Sequence, residues 1–364
     1  MTHINQTKPR VLVTSAAGHT GSTAVLELLK KGFPVRAFVR KQDYRSERLE
    51  KAGAEIFVGD LFNMNDLRRS LIDVQRAYHC PPFAAHLLHG SMLFALAAEE
   101  AKLEVVVLMS AWNPHPGHPG LATREHWIVN NVFRWMPSVD VIHLNPGLFA
   151  FTYFLGLPAM VHFGMLVAPW GNGLNAPPSN EDIGCVAAEL IAAPKDRVGQ
   201  SYRPTGPKLI SPQDVASTLS TVIGRKVKYQ DAPPKMLIKA TTAQGFSNFE
   251  ITHIRHFIEE LKQGAFAVGG PTGHVEEICG RPPEDFASIA KRYVAQPDLI
   301  LPGFKVGNKF QAIGFMIKLM MTRVADLDGW EKDQGYPQIK GAQLAHDNSD
   351  WMHSANQQKL LLQT

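Results

Sequence analysis

The ordered pattern of the chain begins with a continuous apolar run, Val11-Leu12-Val13 within Arg10–Thr14, of the kind shown by parallel strands buried on both faces. A turn of small residues follows. Thr23–Lys31 then carries Val25, Leu28 and Leu29 at helical spacing, with Gly32 as its stop. The alternation repeats: strands are predicted at 34–40, 55–58, 76–79, 105–109 and 139–144, and helices at 44–52, 65–71, 91–102 and 123–135. Strands that alternate with helices in this way are parallel, joined by right-handed crossovers and covered on both faces. The predicted fold class is α/β: a Rossmann-type doubly wound parallel sheet followed by a smaller, mostly helical C-terminal substrate lobe.

After Gly147 the rhythm changes. The aromatic and proline-rich stretches FAFTYFLGLP and APWGNGLNAPPSNED precede helices at 182–192 and 212–223, with short strands near 201–203 and 226–230. Residues 234–296 read as mostly helical, and 310–324 as a further helix, before a polar tail that contains Trp330 and Trp351. The predicted organisation is a nucleotide-binding domain over 8–150, a lobe over 151–298 interleaved with its sheet, and a helical extension over 299–364. The segment Gly314–Met321 is apolar enough either to cap a pocket or to join a partner subunit.

Composition narrows this picture a little. A 364-residue chain that is 45% hydrophobic, with 19 Phe and 6 Trp, can bury a large core and does not read as disordered. The net charge of +4 is small and scattered, and it suits an anionic small ligand about as well as nucleic acid; no nucleic-acid partner is expected because the sequence offers no basic recognition helix. Cys80, Cys185 and Cys279 lack zinc-ligand or C-x-x-C spacing, which fits a reducing cytoplasm. The first ten residues carry no apolar signal region. The apolar stretch 144–170 is broken by Pro146, Pro158 and Pro169, so no membrane partner is expected either. His115, His118, His126 and His143 come without supporting carboxylate or cysteine spacing, and no metal is expected.

The first turn carries the candidate chemistry. Ser15-Ala16-Ala17-Gly18-His19-Thr20-Gly21 lies between a strand and a helix and reads as G-x-x-G-x-x-G with serine at the first position. Gly18 would let the backbone approach a pyrophosphate. Gly21 would let the helix pack on the sheet, and the helix N-terminus would offer free N–H groups. Ser15 cannot take a positive φ as cheaply as glycine. NAD-preferring sites place a carboxylate roughly twenty residues on. Here Arg40 stands in that place, followed by Lys41, with Arg36 earlier on the strand. A guanidinium there suits the 2′-phosphate of NADP(H), so NADP(H) is the expected cofactor ahead of NAD(H).

These residues resemble the NmrA-like group of atypical short-chain dehydrogenases. The matching pieces run in order from about residue 9 to 295: VLVTSAAGHTG, VRAFVRK, GAEIFVGDLFNMNDLRRSL, VVVLMSA, NPGLF, APWGNG, APPSNEDI, YRPTGP, LISPQDVASTLSTVIGRKVKY and EEICGRPPEDF. The resemblance implies that Ser15, Gly18, His19, Thr20 and Gly21 form the pyrophosphate loop, with Arg40 and Lys41 at the 2′-phosphate. Asp60 and Leu61 would meet adenine, and Pro81, Pro82 and Phe83 would line the adenine and ribose wall. Ser110 and Ala111, with Asn145, Pro146 and Gly147, would frame the nicotinamide end, although Asn145 replaces the usual arginine of R-P-G.

Ordinary short-chain dehydrogenases use Tyr-x-x-x-Lys. The one such spacing, Tyr336 to Lys340, lies in the polar tail. The position that this family often fills with lysine is His126, which would either exchange a proton near neutral pH, hydrogen-bond the ribose, or serve structure alone. Ser110, at the end of a parallel strand, is either a second catalytic candidate or a turn residue. Trp112 is a candidate substrate contact. Phe149, Phe151, Tyr153, Phe154 and Trp170 read equally as an aromatic substrate wall or as ordinary core.

The expectation is an NADPH-dependent oxidoreductase, monomer or homodimer, that passes a hydride to an apolar, aromatic or conjugated molecule of quinone, azo, enone or carbonyl type. The alternative is a non-catalytic NADP(H) sensor that controls a protein partner.

Overall fold

The computed structural model describes residues 8–357. Its first part alternates β1 (Val11–Val13), α1 (His19–Lys30), β2 (Val35–Val39), α2 (Tyr44–Lys51), β3 (Glu55–Val58), α3 (Met64–Ser70), β4 (Arg76–His79), α4 (Leu87–Ala101), β5 (Val105–Met109), α5 (Leu121–Arg134) and β6 (Asp140–Leu144). Each lies within a few residues of its predicted span. A 3-10 turn at Ala150–Phe154, α6 (Leu157–Phe163) and β7 (Met165–Ala168) occupy the stretch that the sequence pattern left without elements. Then come α7 (Asn180–Ala192), β8 (Ser201–Tyr202), α8 (Pro212–Ile223), β9 (Lys228–Asp231), α9 (Pro234–Gln244), α10 (Asn248–Gln263), α11 (His274–Cys279), α12 (Phe286–Ala295), α13 (Lys309–Met321), α14 (Leu327–Asp333) and α15 (Ser349–Asn356).

Seven parallel strands form the main sheet in the order β3-β2-β1-β4-β5-β6-β8. The order reverses between β1 and β4, and ligands of such sheets bind in the crevice beyond the strand ends at that point. Both sheet faces are covered. One core gathers Val11, Val13 and Val107 against α1 and α7, and the other gathers Leu12, Val106 and Leu108 against α4 and α5. A Cβ on Gly184 of α7 would come within 2.5 Å of the Thr23 side chain, so glycine there sets how closely α7 approaches α1.

A separate core holds the second lobe. Phe154, Leu157, Leu219, Leu261 and Tyr293 pack there, together with Ile300, Ala345 and Trp351 from the C-terminal segment. Its helices begin on strong local signals. Ser211 and Asp214 form a capping box on α8, and Ser247 and Glu250 form one on α10. Both helices end at glycines with positive φ, Gly224 and Gly264. β7 and β9 make a two-stranded parallel sheet of their own, a pairing of residues far apart in the chain. No helix among the described residues is long and apolar enough to cross a membrane.

Candidate cofactor and substrate site

The turn after β1 is held by its neighbour strand. Ser15 sits in the left-handed region at φ 49°, where glycine is the usual residue, and its hydroxyl donates to Cys80 O at 2.7 Å. Thr14 Oγ1 accepts from the Cys80 N–H at 2.9 Å, so the turn is clamped to the end of β4. Gly18 N donates to Ser15 O at 2.8 Å, and a Cβ on Gly18 would stand 3.0 Å from that oxygen. A Cβ on Gly21 would stand 2.5 Å from it and 3.1 Å from Ala16 Cα. Close backbone packing in the turn therefore requires glycine at position 21 and leaves a side chain at position 18 little room.

α1 starts at Gly18 without a side-chain cap and has no acidic residue in its first turn, leaving its N-terminal N–H groups available to an anion. His19 stacks on Phe151 with ring centroids 4.6 Å apart, and burial, helped by Arg45, lowers its pKa to about 4. The turn is thus roofed by the second lobe through a neutral imidazole.

At the end of β2, Arg40 and Lys41 are exposed, and neither enters an ion pair among the described residues. Arg36 has a different role. It is buried, with Nε donating to Glu55 at 2.8 Å and Nη1 to the carbonyls of Ser70 and Ile72. It ties β2 to β3 and leaves the cofactor question to Arg40 and Lys41. Asp60 and Leu61 follow β3, and Asp60 Oδ1 accepts from Phe62 N at 2.9 Å. Pro81 and Pro82 are half-buried after β4. Phe83 is exposed on one side and meets the His253 ring at 4.8 Å.

Ser110 and Asn145 end adjacent strands. Met109 pairs with Leu144, and Ser110 N donates to Leu144 O at 2.8 Å, which brings the two side chains to one edge. Ala111 and Pro146 are buried next to them. Both Ser110 Oγ and Asn145 Oδ1 are buried without a hydrogen-bond partner, and so is His126 Nδ1 on the second turn of α5. Buried polar atoms are seldom left unpaired without a reason, and a polar ligand at this end of the sheet is one. These unpaired donors and acceptors, the tight glycine turn, the uncapped helix and the free cations together fit a phosphorylated dinucleotide. Burial lowers the His126 pKa to about 4, so its imidazole is neutral near pH 7. It can share a hydrogen bond there, but it is not an imidazolium acid.

The aromatic candidates separate. Tyr153, Phe154 and Trp170 are buried in the second-lobe core, the Tyr153 hydroxyl accepting from Asn175 Nδ2 at 3.2 Å and Trp170 stacking on Tyr229. Trp112 is 4% exposed, with the Arg203 guanidinium 3.7 Å from its ring and Trp351 packed edge-on at 5.8 Å. All four are packed in the core. Phe149 and Phe151 are half-buried beside the turn, and Gly147 lies against Phe266.

His253 on α10 lies beside Phe83, a candidate adenosine contact, and the sequence pattern gives it no role. It touches Phe83 and Phe257, lines a small cleft with Leu121, Thr252, Trp330 and Tyr336, and is held well below its ordinary pKa by burial, with His126, His118 and His256 adding to the effect. The pair of histidines in THIRHF was its only local trace. Tyr336 and Lys340 stand outside any helix, so they do not form the helical Tyr-x-x-x-Lys arrangement. Among the described residues, no group of three or more His, Cys, Asp or Glu side chains is arranged to hold a metal ion.

The C-terminal segment closes this side of the molecule. Trp351 Nε1 donates to Trp112 O at 3.3 Å, Gln343 N to Gly117 O at 3.0 Å and Arg124 Nη2 to Pro337 O at 2.7 Å.

Comparison with known proteins adds to the geometry. The NmrA-like family model matches residues 7–118. Over 286 residues, 78% of this chain and 98% of that relative, the chain is 25% identical to NAD(P)H azoreductase from Xenophilus azovorans. Its fold is that of the NADPH-dependent quinone oxidoreductase of Escherichia coli, with a TM-score of 0.69 at 18% identity, covering 78% of this chain and 99% of that one. NmrA, a negative transcriptional regulator solved with NADP, gives a TM-score of 0.66 at 17% identity, covering 81% and 100%.

Proposed function

We propose that this protein is an NADP(H)-dependent reductase whose substrate is an apolar, aromatic or conjugated small molecule of quinone, azo, enone or carbonyl type. The observation that carries the cofactor reading is the pair of exposed cations, Arg40 and Lys41, beyond the turn that Ser15, Gly18 and Gly21 shape. The reductase reading is supported by similarity to an NAD(P)H azoreductase over nearly the whole of that relative.

In this reading the first turn of α1 and the backbone of Gly18–Gly21 bind the pyrophosphate, and Arg40 with Lys41 binds the 2′-phosphate. Asp60, Leu61, Pro81, Pro82 and Phe83 hold the adenosine. A bound reduced nicotinamide supplies a hydride. Ser110 and Asn145 offer it hydrogen bonds from adjacent strand ends, and the neutral imidazole of His126 orients the ribose or the substrate. Because His126 is not protonated near neutral pH, the accompanying proton comes from solvent. Phe149 and Phe151 give the apolar contact, with Trp112 and Trp351 keeping water from behind.

NADPH oxidation across a panel of quinones, azo dyes, enones and aromatic carbonyls tests this. Turnover with at least one class is expected. Tight NADP(H) binding without turnover on any of them would instead favour a sensor, a reading supported by the missing helical Tyr-x-x-x-Lys and by the likeness in fold to NmrA.

A further inference from the structure

Apart from Lys309, Gln311 and Lys318, α13 is built of apolar residues and one glycine, and apolar residues on several faces of a helix are ordinarily buried. Ala312 is buried and Phe315 and Leu319 are half-buried, the stripe by which the helix rests on α6 and α9. The opposite face is open: Phe310 is 84% exposed, Met320 76% and Met321 79%, with Ile313, Met316 and Ile317 also exposed. Single apolar residues at a surface are normal, but six on one short helix make a contiguous patch that marks a contact surface.

Charge selects the occupant. Residues 299–325 contain Lys305, Lys309, Lys318 and Arg323 and no Asp or Glu, and residues 232–249, which include α9, contain Lys235 and Lys239 and again no carboxylate. The flanking acids are engaged: Asp298 accepts from the Tyr44 hydroxyl and Gly303 N–H, Asp326 from the Gly329 N–H, Asp231 from the Gly171 N–H and Tyr229 hydroxyl, and Glu250 from the Ser247 N–H and hydroxyl. Lys239 Nζ donates to Met320 O at 3.2 Å and Lys318 Nζ to Ala243 O at 2.6 Å, so α9 and α13 form one fixed cationic platform.

We propose that this platform binds the surface of a bilayer containing anionic lipid. A second copy meeting the same face would set like charges together with no carboxylate to pair them. Nucleic acid would satisfy the lysines but leave the Phe, Ile and Met side chains in water. A lipid interface satisfies both, since the apolar side chains enter the headgroup boundary while the lysine stems extend to the phosphates. Thirteen helical residues span about 20 Å, short of the roughly 30 Å hydrocarbon core, so α13 lies in the surface and does not cross. The sequence predicts no membrane partner because it holds no spanning segment, whereas a surface helix depends on which side chains the fold leaves exposed.

Flotation of the full chain with vesicles of phosphatidylcholine, alone or mixed with phosphatidylglycerol, tests the proposal. Binding to the anionic vesicles is expected to be roughly tenfold or more above that to phosphatidylcholine, and to fall in high salt. The double variants F310E/M320E and K305E/K309E should each lower it by roughly tenfold or more, with unchanged thermal melting because the positions are exposed. Wild-type protein that floats with neither vesicle would overturn the proposal. So would binding to both vesicles that does not depend on Phe310 and Met320. A solution oligomer that F310E/M320E splits to monomer would overturn it as well, by assigning the face to a second copy.

Discussion

His118 and Glu260, 142 residues apart in sequence, meet through a 2.9 Å hydrogen bond between Nε2 and Oε1, with neither side chain exposed. The Gly120 N–H donates to His118 Nδ1 at 2.9 Å, which leaves the ring proton on Nε2 to be given to the carboxyl. The same Oε1 accepts from Ala345 N at 2.8 Å. One buried atom thus joins the loop before α5, helix α10 and the C-terminal segment that backs the site.

Glu260→Gln keeps an acceptor for both donors and should cost less than about 1 kcal/mol, whereas Glu260→Ala strands two buried N–H groups and should cost roughly 3 kcal/mol in urea unfolding. Burial pushes the Glu260 carboxyl up to about 7, above its ordinary value of 4.5. The folded state therefore holds this proton more tightly, and its contribution is complete below pH 4.5 and lost as pH rises through 7. The melting temperature of Glu260→Gln should gain on wild type between pH 5 and pH 8. A constant difference would contradict the burial of this carboxyl.

Ser15 combines a left-handed backbone, which costs a non-glycine residue roughly 1–2 kcal/mol, with a hydroxyl bond to Cys80 O that returns about 1 kcal/mol. Ser15→Ala loses the bond and keeps the strain. Ser15→Gly loses both, so it should be near neutral and about 1 kcal/mol or more stabler than the alanine variant. Equal melting temperatures would remove the strain argument. Gly21→Ala has no such relief, and should weaken NADPH binding by roughly tenfold or more, because the turn must open to admit the Cβ.

Arg40→Asp replaces an exposed cation that pairs with nothing among the described residues, so folding should be unaffected. NADPH affinity should fall by roughly tenfold to a hundredfold while NADH affinity holds or improves. Titration of both cofactors by fluorescence checks this, and unchanged NADPH binding would move the 2′-phosphate elsewhere.

Acid should unfold the protein early. Burial lowers the pKa of His79 to about 3 and those of His126 and His143 to about 4. Each is depressed from 6.5, so the unfolded chain takes up these protons first. Their stabilisation is complete above pH 6.5 and lost progressively as pH falls towards 4. Urea midpoints should drop between pH 7.5 and pH 5, against the smaller opposite trend from Glu260. In turnover, no kinetic limb near pH 6.5 should belong to His126; one abolished by His126→Gln would show that the imidazole titrates in the working site.

Much of the sheet was legible because its signals are local. Val11–Val13 and Val105–Met109 are fully buried apolar strands, and Glu55–Val58, half-buried at the sheet edge, is closed by the turn residues Gly59 and Asp60. β7 carries no local signal, because Met165–Ala168 is short, follows a proline-broken aromatic stretch, and pairs with the distant β9. His253 and Glu260 were not legible as a contact of Phe83 or as a hub, since nothing near them in the chain identifies Phe83 or His118 as neighbours.

By itself the sequence determined the alternation of strands and helices, the glycine turn at Ser15–Gly21 and the cations at Arg40 and Lys41, all of which rest on periodicity and spacing within a few residues. The tertiary structure decided what depends on distant contacts and on water. It assigned Tyr153, Phe154 and Trp170 to the core, made His126 neutral, folded the C-terminal segment over Trp112, and left the apolar face of α13 open. Burial and desolvation are properties of the packed molecule, because they depend on every element that surrounds a side chain and not on the residues beside it in the chain.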